Sequence, residues 1–77
     1  MDKHKLKIYQ KEIGIRLAKA RQECNMTQSQ VASTGILKQS HLSKIESGEI
    51  LVNIFTLQEL AKLYNVSLLK LINNEEK

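Results

Sequence analysis

Apolar residues recur along the 77-residue chain at spacings of three and four, without sustained alternation, which predicts helices and no strands. Proline is absent and the three glycines, Gly14, Gly35 and Gly48, leave room for five helices. The first is expected over residues 8–24, where Ile13, Leu17, Ala20 and Cys24 form a narrow stripe that can face a core. Gly14 lies inside that helix at a cost of about 1 kcal/mol, which a close packing contact would explain. Thr27 can accept from the first-turn amides of a second helix, and Gln30 stands where a capping box needs its reciprocal acceptor. Val31 and Ala32 then point inward. A third helix over residues 39–47 offers Leu42 and Ile45 to the core, and Gly48 follows where a left-handed cap is needed. Asn53 caps a fourth helix with the stripe Leu57, Leu60, Ala61 and Tyr64. Ser67 caps a fifth, with Leu68, Leu71 and Ile72 facing inward and Val66 able to staple its start. Residues 73–77 are polar and expected to fray.

The polar positions single out the middle of this series. Between Thr27 and Gly48 two short helices are joined by a tight connection, and the second carries small polar side chains on one face, the layout of a DNA-reading helix-turn-helix. Gln39 can pair bidentately with adenine, Lys44 can donate to guanine O6 and N7, and Ser40 can donate or accept. Each good pair discriminates by about 1–3 kcal/mol. A polar face on an isolated nine-residue helix is more often merely solvated; its setting after Thr27 and Gln28 and before Glu46 and Gly48 turns the balance toward DNA. The connection itself is unusual. Lys38 occupies the cap of the third helix, where it cannot accept from the first-turn amides and sits beside the positive helix end, although it is well placed to meet a phosphate.

Composition narrows the function class further. A chain of this length makes one domain, and its single Cys24 can close no intramolecular disulfide. It has no Cys/His set for zinc and no other metal or cofactor signature. The first residues are charged where a signal peptide is apolar, and no apolar run of about 18–20 residues occurs, so a soluble protein of the cytoplasm is expected. His4 and His41 are isolated, Cys24 lies on an apolar stripe, and no phosphate loop or carboxylate pair appears; an enzyme is not expected. The net charge of +4 arises entirely before Asn25, where seven Lys or Arg face three acids. Such an end suits a phosphate backbone and equally serves as a solubilising tail.

Taken together, Ile13, Gly14, Arg16, Leu17, Arg21, Met26, Thr27, Gln28, Val31, Ala32, Leu42, Ser43, Lys44, Ile45, Glu46, Gly48, Thr56, Leu57, Leu60, Ala61, Val66, Ser67 and Leu71 resemble the Cro/C1-type helix-turn-helix family of phage repressors and bacterial regulators. The resemblance implies an all-α, five-helix, lambda-repressor-like domain over residues 13–72, after a basic extension at 1–12 and before a polar tail at 73–77. It implies base reading by Gln39, Ser40 and Lys44, with His41 and Ser43 close by. Gln28 falls where the family holds a phosphate, Thr27 caps the same helix beside it, and Ser47 with the amides near the end of the third helix adds further backbone candidates. Arg21 and Glu46 match a family ion pair between the first helix and the end of the third. Its geometric role outweighs its net energy, because desolvation offsets the Coulomb gain.

After Gly48 the family often has basic residues and a proline, whereas this chain has Glu49, Ile50, Leu51 and Val52. These apolar residues either pack under the loop or, with Ile54 and Phe55, form a dimer or partner patch. The stretch is also similar to the amino-terminal domain of peptide-responsive regulators of the Rgg and PlcR type, which leaves open a small standalone regulator or one domain of a longer protein. The expected function is a sequence-specific double-stranded DNA-binding transcriptional regulator, of repressor or controller type, on a palindromic operator as a homodimer. The competing class is a protein-interaction module of antitoxin or anti-repressor character.

Overall fold

A computed structural model describes residues 2–73 of the chain. It contains five helices: α1, Lys3–Glu23; α2, Gln28–Ala32; α3, Gln39–Glu46; α4, Ile54–Tyr64; and α5, Leu68–Ile72. The fold class is the expected all-helical one. The largest boundary difference is at the amino end, where α1 starts five residues before Ile8. Asp2 causes the earlier start: its Oδ1 accepts from the Lys5 amide at 2.8 Å, satisfying a first-turn donor that apolar periodicity does not register. Residues 3–7, expected to precede the first helix, are therefore part of it.

Three caps form as their sequences predict. Thr27 Oγ1 accepts from Gln30 N at 3.0 Å while Gln30 Oε1 accepts from Thr27 N at 2.8 Å, which completes the capping box. Asn53 accepts from Thr56 N at 2.9 Å and Ser67 from Lys70 N at 3.1 Å. Lys38 makes no side-chain cap bond to α3. α4 ends on Asn65 in the left-handed region, φ 57°, and α3 is followed by Gly48 at φ 83°. Gly35 turns the α2–α3 connection at φ 89°.

α1 is the spine, packing against α3, α4 and α5, while α2 lies on α3 and α5 on α4. Leu17, Val31, Leu42, Ile45, Leu60 and Leu71 are fully buried, one or two from each helix, and each contributes about 1.5–3 kcal/mol by leaving water. Cys24 lies at the edge of this core and donates its thiol hydrogen to the Tyr64 carbonyl. Ala32, expected inside, is only partly buried.

Gly14 supplies the close contact its position called for. A Cβ there would run into the carbonyl oxygen of Ile45 and lie 2.8 Å from that of Glu46, so the α1 and α3 backbones meet without side chains between them. Of the apolar residues after Gly48, Val52 is buried and Ile50 packs on the core; Leu51 remains half exposed. Val52 and Ile50 therefore leave the expected surface patch, because the loop turns them onto the core.

Candidate nucleic-acid interface

α3 sorts its residues by face. Leu42 and Ile45 are buried, whereas Gln39, Ser40, His41, Ser43 and Lys44 are all exposed. The five polar side chains thus share the solvent side of one two-turn helix, with the donors and acceptors that base edges can meet. No acid stands among them.

The carboxyl end of α3 is held by a partly buried polar network. Arg21 Nε donates to Glu46 Oε2 at 2.8 Å and Arg21 Nη2 to Glu46 Oε1 at 3.0 Å, a bidentate pair with Glu46 only 6% exposed. The remaining guanidinium nitrogen, Nη1, donates to the Met26 carbonyl at 2.8 Å. The hydrogen bond to Glu46 raises the Arg21 pKa, against the opposing effect of burial. Gln28 Nε2 donates to Glu46 Oε1 at 2.9 Å, so one carboxylate joins α1, the start of α2 and the end of α3. This leaves Gln28 with its second amide hydrogen for any further acceptor. Tyr64 approaches the same network from α4: its hydroxyl is buried without a hydrogen-bond partner, and burial together with the nearby Glu46 charge pushes its pKa up to about 12.

The phosphate candidates are less uniform. Thr27 and Lys38 are exposed, but the Thr27 amide is already engaged by Gln30. The amides after α3 are not free as expected: those of Ser47, Gly48, Glu49 and Ile50 donate to the carbonyls of Ser43, Ile45, Lys44 and Lys44, because a helix end needs donors for its last carbonyls. The Ser47 hydroxyl is engaged as well, directed at the Lys44 carbonyl and Glu49 Oε2. Around it the chain makes two contacts with no local sequence signal. Gln10 Nε2 donates to the Gly48 carbonyl at 3.1 Å, and the Lys11 stem lies over Gly48. Arg16 likewise donates to the Ile72 carbonyl at 2.8 Å, capping α5 from 56 residues away.

A family profile described as helix-turn-helix matches residues 17–71, which takes in α2, the turn, α3 and both later helices. The chain belongs to the Cro/C1-type helix-turn-helix family. This makes it a DNA-binding protein of transcription regulation. No curated protein and no solved structure matches it. In the helix-turn-helix frame α2 is the first helix of the motif and α3 the second. Among the described residues no group of His, Cys, Asp or Glu is gathered to hold a metal, and no helix is long and apolar enough to cross a membrane.

Proposed function

We propose that this helix-turn-helix protein is a sequence-specific regulator of repressor or controller type that occupies a palindromic operator as a dimer in the cytoplasm. The segregation of α3 carries the proposal: five exposed polar residues without an acid, backed by two buried anchors. Gln39, Ser40 and Lys44 read base edges directly, with His41 and Ser43 beside them. Gln28, Lys38 and Thr27 meet phosphates and set the register, and Ser47 joins them once its hydroxyl turns from Glu49 to a phosphate. Gln28 is favoured most among these, since the Glu46 contact fixes its amide and leaves one hydrogen to give. The reading face holds one lysine, so discrimination rests on glutamine and serine hydrogen bonds more than on charge. No catalysis or cofactor enters the mechanism.

Leu51, Ile54 and Phe55 form the candidate dimer patch at the start of α4, and Phe55 is 79% exposed. The same patch favours a second function, a protein-interaction module, if its partner is another chain. The resemblance to Rgg and PlcR type regulators supports a variant of the first proposal in which this domain is part of a longer peptide-responsive protein.

Selection of bound duplexes from a random DNA pool tests both. A palindromic site with half-sites about one helical turn apart is expected. On that site Lys44→Ala should cost about 1–3 kcal/mol at one base pair and leave random DNA nearly unaffected. Equal losses on the two would remove Lys44 from the reading face, and failure to enrich any duplex would favour the interaction module.

A further inference from the structure

We propose that the amino-terminal half of α1 is a second, rigid phosphate-binding surface, in which Lys7 and Lys11 replace the cations missing from the loop after α3. The proposal rests on the DNA-reading function of α3 and adds a site to it. Residues that follow a groove-reading helix leave the groove beside the phosphate backbone. Here they are Glu49, Ile50, Leu51 and Val52, which bring one negative charge and no positive one. α1 supplies what they lack, because Gln10 Nε2 bonds the Gly48 carbonyl at 3.1 Å and the Lys11 stem crosses Gly48 itself.

The cation column is built into helix. Asp2 caps α1 at Lys3, so Lys7 and Lys11 stand on regular helical backbone one turn apart on the same face, with Lys3 and His4 one turn earlier. Neither Lys7 nor Lys11 has an acid three or four positions away on α1. The neighbouring Glu12 is turned to Arg16 at 3.7 Å. The acid nearest in the facing loop, Glu49, receives the Ser47 hydroxyl at 2.9 Å. Like charges at i and i+4 destabilise a helix, so the column weakens α1 unless an anion lies along it. Apolar packing does not require these turns either, since Leu6, Ile8 and Tyr9 are all substantially exposed. The partner that fits a row of lysines on one helix face, beside the end of a groove-reading helix, is the sugar-phosphate strand flanking the base-read site.

The test measures binding of the full chain to its selected duplex and to random DNA across a salt series. Lys7→Gln and Lys11→Gln should each lower the slope of log affinity against log salt by about 0.9 per bound chain on both DNAs, with the preferred sequence unchanged. Lys62→Gln, which removes the same charge beside the cleft between α4 and α5, should leave the slope as it is. Hydroxyl-radical footprints should lose protection of flanking sugars in the α1 variants only. Wild-type slopes and footprints in both α1 variants, or an equal drop in Lys62→Gln, would overturn the second surface while leaving base reading by α3 intact. A wild-type chain that binds no duplex would overturn both.

Discussion

The two ends of α3 are held in opposite ways. At its carboxyl end, Glu46 is buried between Arg21 and Gln28, the backbone touches α1 at Gly14, and Gly48 lies under Lys11. At its amino end, Lys38 offers no acceptor to the first turn and the base-reading candidates Gln39 and Ser40 stand in solvent. One end positions the helix and the other is left free to meet a ligand. A short helix can thus be aimed by one terminus, provided that terminus is fixed by charge-assisted bonds that tolerate little displacement.

Removing the anchor should break the contrast most severely. Arg21→Ala leaves the Glu46 charge without a cation, held only by Gln28, and frees the Met26 carbonyl in a nearly closed site, and a loss of about 3 kcal/mol is expected in urea unfolding. An unchanged unfolding midpoint would mean that the two ends of α3 are held equally loosely.

The second test uses alkaline pH on the same end. Tyr64 has its pKa pushed up to about 12 by burial and Glu46, against about 10 in an unfolded chain. The unfolded state therefore loses its phenolic proton first, and stability that is fully present below pH about 10 should fall by up to about 1.4 kcal/mol per unit until pH about 12. Tyr64→Phe should remove that part of the alkaline decline. Because the hydroxyl has no partner, the variant should be at least as stable as wild type near pH 7. Parallel alkaline profiles for the two chains would detach Tyr64 from the anchor.

The smallest effect is expected at the free end. Lys38→Ser supplies the missing cap and should stabilise the fold by about 0.5–1 kcal/mol. If Lys38 meets a phosphate, the same change lowers the salt slope of DNA binding by about 0.9. Higher stability with weaker binding would sharpen the contrast, and lower stability would reverse it.

How much of this was legible in the sequence follows the same division. Thr27, Asn53 and Ser67 act within three residues of themselves, so their caps can be read from local order. The buried stripe of α4 could be read in the same way, since all four of its residues share one helical face. Glu46 was linked to Arg21 through family resemblance, yet its bond to Gln28 spans 18 positions and leaves no periodic trace. The start of α1 leaves no apolar signature, because apolar spacing reports what lies beneath a helix and little of the core lies beneath Leu6 and Tyr9. Gln10 and Gly48 are 38 residues apart, and only the fold brings them together.

The three glycines, finally, make different demands on any residue that would replace them. At position 14 the constraint is volume, since a methyl group would enter the α3 backbone. At position 35 nothing lies within 4 Å of where a side chain would begin, so the constraint is chirality: the backbone there is the mirror image of what an L residue prefers. Position 48 combines both, with a positive φ and the Lys11 backbone 3.0 Å away. An L-alanine at the turn before α3 would therefore meet no neighbouring atom and be opposed by backbone handedness alone, unlike one at either of the other two positions.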